Sequence, residues 1–313
     1  MNNSSKIYVA GHLGLAGSAL VARLQSEGAN NLVLRTHDEL DLANQGAVEA
    51  FFSAEKPEYV FLAAAKVGGI MANSTRPAEF IYENLAIQSH VIHNAWKYGT
   101  KKLVFLGSSC IYPRDCDQPI HEDYLLTGPL EATNEAYAIA KIAGLKMCQA
   151  YRAQYGFDAT SVMPTNLYGP RDNFNLEGAH VLPALIRRIY EARINQLPTV
   201  TIWGTGTPLR EFMHVDDFAD AVVHIVHSES TTDLVNVGSG QEISIADLAR
   251  LIARTVGYAG ELVFDPSKPN GTPRKRLDNS RLLELGWQPK VSLEDGIERT
   301  YQWFVSHLDN FRS

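Results

Sequence analysis

A tyrosine and a lysine four residues apart, Tyr137 and Lys141, form a pattern suited to proton transfer. On a helix this spacing places both side chains on one face. A phenol has a reference pKa of about 10, and a neighbouring ammonium favours its ionised form. The pair is therefore predicted to exchange a proton with a carbonyl or alcohol oxygen. The alternative interpretation is a surface pair without a catalytic role.

A serine-rich loop is the second candidate for chemistry. Gly107, Ser108, Ser109 and Cys110 directly follow the apolar run at 102–106. In parallel α/β sheets, ligands bind beyond the carboxyl ends of the strands. The Ser108 hydroxyl is thus expected to hydrogen-bond a substrate oxygen beside Tyr137, the alternative being a simple serine-rich turn.

A glycine pattern near the N-terminus predicts a nucleotide site. Gly11, Gly14 and Gly17 lie between an apolar run and a helical pattern. Glycines at such a turn let the backbone approach a pyrophosphate, and the helix N-terminus offers free N–H groups. The alternative is a tight turn that requires small residues. The second predicted strand ends at Arg35 and His37, where an NAD site usually has an acidic residue, so NADP is favoured and NAD remains possible.

Alternating strands and helices supply the scaffold that would bring these residues together. Strands are predicted at 6–10, 31–34, 59–63, 102–106 and 159–163, and helices from Leu15 to about 27 and at 47–54, 77–96 and 134–155. This alternation predicts an α/β fold with a Rossmann-type, doubly wound parallel sheet.

Beyond Pro164 the pattern loosens. Helices are predicted at 182–192, 215–227, 245–256, 280–285 and 293–304, and strands at 199–203 and 234–237. We expect a dinucleotide-binding domain of residues 1–165 plus about 214–238. A smaller, discontinuous α/β substrate domain is expected to comprise about 166–213 plus 239–313.

Composition narrows the function classes. The 313 residues carry a formal net charge of −7, which argues against a broad nucleic-acid surface. There is no run of 18 or so apolar residues that could span a membrane and no signal-peptide pattern. The cysteines, Cys110, Cys116 and Cys148, have no metal-ligand spacing and leave an odd thiol in any disulfide scheme. We therefore expect no metal site, no membrane partner and a cytoplasmic location.

Several segments together resemble the extended short-chain dehydrogenase/reductases and, among them, the GDP-L-fucose synthase family of GDP-4-keto-6-deoxymannose epimerase-reductases. The matching segments are 63–70, 106–113, 131–144, 163–174, 179–188, 203–217 and 272–278. The resemblance runs nearly from end to end. It implies epimerisation at C3 and C5 of the sugar, followed by NADPH-dependent reduction at C4.

The resemblance also implies roles for individual residues. Ser108, Tyr137 and Lys141 would form the reductase triad, with Cys110 and His180 as the epimerisation base and acid. A thiolate near a positive group can remove a proton made acidic by the neighbouring keto group, and an imidazolium can return one to the opposite face. The alternatives are a small buried cysteine and a histidine that hydrogen-bonds within a loop.

Binding residues follow from the same resemblance. The expected cofactor-binding residues are Gly11, Gly14, Leu15, Gly17, Arg35, His37, Asp41, Leu42, Leu106, Ser109, Lys141, Pro164, Asn166, Leu167 and His180. The expected substrate-binding residues are Ser108, Asn166, Val181, Arg188, Trp203, Arg210 and Lys275. Arginine suits a diphosphate because its planar fork binds two oxygens at once.

Two departures from the family pattern concern the cofactor. Leu13 and His37 stand where the family commonly has arginines that contact the adenosine 2′-phosphate, which weakens the expected preference for NADP. Arg35 lies nearby and is a further candidate for this contact.

Alternative functions share much of this pattern. A relative acting on another GDP-4-keto-6-deoxy sugar, or on a heptose, would carry the same catalytic residues. A non-catalytic dinucleotide-sensing module would be expected to lack the tyrosine or the lysine, and both are present. The resemblance further implies a homodimer formed through the helices at about 78–96 and 134–155.

Overall fold

Short apolar segments form the strands of the central sheet, because each is buried on both of its faces. The computed structural model describes residues 1–176, 178–228, 232–268 and 270–311. The strands are β1 Ile7–Ala10, β2 Leu32–Val33, β3 Tyr59–Leu62, β4 Lys102–Leu106, β5 Ala159–Pro164, β6 Asn166–Tyr168, β7 Thr199–Trp203, β8 Leu209–His214, β9 Leu234–Val237, β10 Glu242–Ser244, β11 Glu261–Asp265 and β12 Arg274–Lys275.

Helices connect these strands and cover the sheet. They are α1 Leu15–Ser26, α2 Gln45–Glu55, α3 Ile70–Thr75, α4 Pro77–Lys97, α5 Glu135–Tyr155, α6 Val181–Ile194, α7 Val215–His227, α8 Ile245–Val256, α9 Ser280–Glu284 and α10 Leu293–Ser306. Short 3₁₀ turns lie at Ser109–Ile111, Glu122–Tyr124, Ala132–Asn134 and Leu308–Phe311. None of the helices among the described residues is long and apolar enough to cross a membrane.

The main sheet has six strands in the order β2-β1-β3-β4-β5-β9, all parallel. Side chains on successive residues of a strand point to opposite faces. Tyr8 and Ala10 therefore join a core with α2, α4 and α5, whereas Ile7 and Val9 join a core with α1 and α7. The predicted Rossmann-type parallel sheet is confirmed.

A third core lies between α6, α8 and α10. Here β8 pairs with β6, β10 and β12, and β7 pairs in parallel with β11. The sequence patterns predicted β7 but not β6, β8, β10, β11, β12 or the short helix α3. The chain enters this region after β5, returns to the main sheet through α7 and β9, and then leaves it again.

The sheet brings the predicted catalytic and binding residues together, because its parallel strands present their carboxyl ends at one edge. The glycine loop follows β1, the serine loop follows β4, and Asn166 lies just beyond β5. Tyr137 and Lys141 lie in the first two turns of α5, next to the end of β4.

Candidate active site

A cavity of about 910 Å³ opens at this edge of the sheet. Its volume lies within the range usual for small-molecule sites, about 300–1,000 Å³. Five proposed catalytic residues, Ser108, Cys110, Tyr137, Lys141 and His180, line it together. The lining also includes every expected cofactor-binding residue, namely Gly11, Gly14, Leu15, Gly17, Arg35, His37, Asp41, Leu42, Leu106, Ser109, Lys141, Pro164, Asn166, Leu167 and His180.

The glycine loop forms a close-packed cradle that side chains would fill. A Cβ on Gly17 would lie 2.1 Å from the Gly11 carbonyl oxygen, and one on Gly11 would lie 2.7 Å from the Ala64 nitrogen. Gly14 caps α1 without any side-chain hydrogen bond, so N–H groups at this helix N-terminus remain available. Such an arrangement fits the pyrophosphate of a dinucleotide.

Lys141 is buried and donates a hydrogen bond from Nζ to the Leu106 carbonyl oxygen at 2.8 Å. Burial lowers the pKa of Lys141 to about 7. Burial also raises the pKa of the Tyr137 phenol, assisted by the charge of Cys110 and opposed by a hydrogen bond with Ser108. The expectation that the ammonium brings the Tyr137 pKa toward neutrality is therefore wrong for this structure, because desolvation dominates.

Ser108 and Cys110 are positioned by the short 3₁₀ turn after β4. The Cys110 backbone N–H donates to the Ser108 Oγ at 3.2 Å, so Ser108 caps this turn. Ser108 also hydrogen-bonds with Tyr137, and this bond opposes the rise in the Tyr137 pKa that burial causes. The turn thus holds the serine hydroxyl, the thiol and the phenol around one part of the cavity.

The Cys110 sulfur has two polar neighbours from distant parts of the chain. Asn134, at the start of α5, donates from Nδ2 to Sγ at 3.2 Å, and the Nζ of Lys275 lies 3.6 Å from the same sulfur. A hydrogen-bond donor and a positively charged group therefore both lie against the sulfur. Lys275 was expected to bind the substrate, and here its ammonium lies beside Cys110.

His180 lies at the N-cap position of α6, where its side chain makes no capping hydrogen bond, and it lines the cavity. Its ring is accessible to solvent there, but the surrounding protein and then the positive charge of Lys275 lower its pKa. Cys110 and His180 are therefore both influenced by the same ammonium. The arrangement can supply one proton acceptor and one proton donor to a molecule lying in the cavity.

The remaining expected substrate residues divide into two groups. Asn166 lines the cavity with Ser108 and Lys275. The cavity lining does not include Val181, Arg188, Trp203 or Arg210. Val181 is partly exposed and directly follows His180.

Trp203 lies at the end of β7 and is half exposed. The guanidinium carbon of Arg188 lies 5.1 Å from its ring centroid, and the Nζ of Lys268 lies 5.7 Å from it. Arg210, on β8, donates to the Leu209 and Asn270 carbonyl oxygens. Arg188 and Lys268 thus bring positive charge to one exposed aromatic ring; sequence reasoning did not include Lys268.

Arg35 is held in place by neighbouring groups. It donates to Glu55 at 2.7 Å and to the Leu34 carbonyl oxygen at 2.9 Å, and its guanidinium lies 5.7 Å from the Phe51 ring centroid. His37 is exposed at the rim of the cavity. Arg35 and His37 were both predicted to contact the 2′-phosphate, and of the two Arg35 already has an anionic partner, Glu55.

A model of the NAD dependent epimerase/dehydratase family matches residues 7–238 of this chain. The chain belongs to this family. It is 60% identical to GDP-L-fucose synthase 1 of Arabidopsis thaliana, with 99% of this chain and 96% of that protein covered. It is 53% identical to the GDP-L-fucose synthase of Escherichia coli K12, with 99% of each chain covered.

A solved structure extends the comparison. A GDP-mannoheptose C4 reductase from Campylobacter jejuni with NADP bound superposes with a TM-score of 0.88 and 43% identity. The comparison covers 97% of this chain and 99% of that one. These similarities confirm the predicted resemblance to the GDP-L-fucose synthase family.

The cavity lining also includes residues that sequence reasoning left unassigned. Among them are Lys66, Arg171 and Asp172. One Asp172 carboxylate oxygen accepts from the Asn173 N–H at 2.7 Å, and the other has no hydrogen-bond partner within the described residues. Burial raises the pKa of Asp172 to about 7. These three residues lie in segments 63–70 and 163–174, which carry the family resemblance. That resemblance was the sequence signal that could have identified them.

Proposed function

We propose that this chain epimerises GDP-4-keto-6-deoxy-D-mannose at C3 and C5 and then reduces it at C4 with NADPH, giving GDP-L-fucose. The observation that supports this best is the joint placement of Ser108, Cys110, Tyr137, Lys141 and His180 around one cavity that also contains the glycine cradle. The 60% and 53% identity to GDP-L-fucose synthases points to the same reaction.

The residues divide the chemistry between proton transfer and binding. The Cys110 thiolate would remove the proton beside the keto group, and His180 would return a proton to the opposite face. Bound NADPH would supply a hydride to C4. Tyr137 would then donate its phenolic proton to the C4 oxygen, with Ser108 hydrogen-bonded to that oxygen and Lys141 stabilising the resulting phenolate.

Binding is divided between the two parts of the chain. We infer that residues 1–165 plus about 214–238 hold the dinucleotide, and that 166–213 plus 239–313 hold the GDP-sugar. Arg188, Lys268 and Arg210 would contact the nucleotide near Trp203, whose exposed ring offers a stacking surface. This assignment rests on the positive charges around Trp203 and on the family resemblance.

The direct test is turnover of purified protein with GDP-4-keto-6-deoxymannose and NADPH, with product stereochemistry determined by NMR. We expect GDP-L-fucose as the product. Reduction without inversion at C3 and C5 would contradict the epimerase part of the proposal. Faster turnover of a GDP-4-keto heptose would favour the second candidate, which is supported by the 43% identity to a heptose reductase.

The cofactor is proposed to be NADP(H), held with a modest preference over NAD(H). Leu13 is exposed, and Arg35 is paired with Glu55, which leaves His37 as the basic side chain best placed for a 2′-phosphate. A charge-assisted hydrogen bond contributes roughly 1.5–3 kcal/mol. His37→Arg is therefore expected to raise the ratio of NADPH to NADH efficiency by about 10- to 100-fold.

Arg35→Gln is the matched control for this prediction. Because Glu55 already engages the Arg35 guanidinium, we expect the efficiency ratio to change by less than about threefold, an effect below 1 kcal/mol. The measurement is kcat/KM for each cofactor. A collapse of the ratio in Arg35→Gln would show that Arg35 leaves Glu55 to bind the phosphate.

We infer that the chain forms a homodimer through α4 and α5 and acts in the cytoplasm. Tyr82 on α4, and Ile139 and Tyr155 on α5, are large apolar side chains exposed on these helices. An interface on the helices would remove them from water. The three cysteines are free thiols, which suits a reducing compartment.

A further inference from the structure

Cys110 lines a second, much smaller cavity as well as the large one. The small cavity has a volume of about 50 Å³. Ser109, Cys110 and Lys275 line both cavities, so the thiol lies at the boundary between them. One water molecule needs roughly 10–15 Å³ of such space, and the small cavity can therefore hold a few.

Polar groups in the small cavity could bind these water molecules. Asn134 donates to the Cys110 sulfur, and its own Oδ1 is buried without a hydrogen-bond partner in the described parts of the chain. Glu131 also lines the cavity, and its carboxylate lies 3.5 Å from the Arg114 guanidinium. Both charged side chains are partly exposed, so they connect the cavity to bulk solvent.

The role inferred for the small cavity rests on the epimerisation proposed above. Each inversion transfers a proton from the sugar to the Cys110 thiolate, and the thiol must lose this proton before it can act again. Two carbons, C3 and C5, are inverted on one bound sugar. During that time the substrate and cofactor would occupy the large cavity, which Cys110 lines, and would separate the thiol from solvent on that side.

We propose that the small cavity is the proton exit of Cys110. The S–H bond breaks, its proton passes to a water molecule in the cavity, and that water passes a proton to the Glu131 carboxylate and on to solvent. The thiolate is restored beside the Lys275 ammonium. At each inversion His180 supplies the opposite-face proton and then regains one from solvent, to which its side chain is exposed. The number of protons on the sugar and on both side chains is therefore unchanged, and no electrons are transferred.

The experiment blocks the exit without altering the residues that contact substrate. Thr272 lines the small cavity and is half-buried, so Thr272→Phe is expected to fill the space and Thr272→Ser to leave it open. The primary measurement is deuterium incorporation at C3 and C5 of GDP-4-keto-6-deoxymannose in D₂O. NADP⁺ is present as a cofactor that cannot reduce the sugar.

We expect Thr272→Phe to lower at least tenfold the rate of exchange at the second carbon inverted on one bound sugar, and Thr272→Ser to stay within twofold of the unmodified protein. Initial oxidation of GDP-L-fucose by NADP⁺, followed by NADPH fluorescence, uses hydride transfer alone and should be unchanged in both variants. Exchange at the unmodified rate in Thr272→Phe would overturn the proposal, even where Cys110→Ser abolishes exchange. Persistent exchange in Cys110→Ser would instead overturn the assignment of Cys110 as the base.

If Thr272→Phe impairs both exchange and hydride transfer, a second variant, Glu131→Gln, tests the proton exit. Glu131→Gln retains an oxygen that can accept from the Thr133 N–H but removes the proton acceptor. We expect slower exchange that is restored as the concentration of a small buffer base is raised. Exchange at the unmodified rate, or slow exchange that does not respond to buffer, would contradict the proton exit.

Discussion

Tyr137→Phe is expected to reduce the rate of C4 reduction by about 10²- to 10⁴-fold, the usual contribution of a positioned general acid. Burial raises the pKa of the Tyr137 phenol, so its oxygen keeps a proton at neutral pH and can donate it to the C4 oxygen. Phenylalanine preserves the ring, which lies edge-to-face with Phe80 and beneath the Lys141 ammonium. The substitution therefore removes the proton donor and leaves the packing in place.

Two further measurements separate this role from a structural one. NADPH affinity in Tyr137→Phe should stay within a few-fold of the unmodified protein, and deuterium exchange at C3 and C5 should continue because Cys110 and His180 remain. Reduction within a few-fold of the unmodified rate would show that Tyr137 is not the acid. Loss of exchange together with reduction would indicate that the cavity has rearranged.

The sequence predicted the main sheet well because burial on both faces leaves a strong local pattern. Strand β4 at 102–106 and helix α7 at 215–227 have the predicted bounds. Strands β7 and β9 and helix α8 also have the predicted bounds, and the other predicted strands and helices are present with bounds that differ by a few residues. A run of apolar residues between turn signals is sufficient to locate such strands.

The strands that were missed depend on distant partners rather than on local sequence. Strand β8, with the sequence LREFMH, pairs with β6, β10 and β12, whose partner residues lie some tens of positions away in the chain. Strands β6, β10 and β12 have only two or three residues each. Segments this short carry almost no periodicity, so only their pairing defines them.

Most of the residues proposed from the sequence line one cavity, but their electrostatics could not be predicted from the sequence. Spacing placed Tyr137 and Lys141 on one helix face, but the sign of the Tyr137 pKa shift depends on burial, which spacing does not reveal. Lys275 is 165 residues from Cys110 in the chain, and no local pattern indicates their contact. The Arg35–Glu55 pair likewise joins residues from different elements.

Cys110→Ser is expected to reduce solvent-deuterium exchange at C3 and C5 by about 10²- to 10⁴-fold, the range for loss of a positioned general base. A serine hydroxyl ionises far less readily than a thiol, so it is a poor base in the same position. Initial NADP⁺-dependent oxidation of GDP-L-fucose should persist, because Tyr137, Lys141 and Ser108 are intact. Exchange at the unmodified rate would identify Cys110 as a packing residue.

Lys275→Met tests the electrostatic part of the same prediction through the pH profile of exchange. The Lys275 ammonium lies 3.6 Å from the Cys110 sulfur and contributes to the lowered pKa of His180. Without this charge the His180 pKa rises, the imidazolium persists to higher pH, and the alkaline limb of the profile should move to higher pH.

Lys275→Arg is the matched control, because it keeps the positive charge and should return the alkaline limb toward its original position. A role for Lys275 in GDP binding alone would raise KM and leave the pH profile in place. An alkaline limb that stays in place while KM is unchanged would show that His180 is not the group whose protonation limits exchange at high pH.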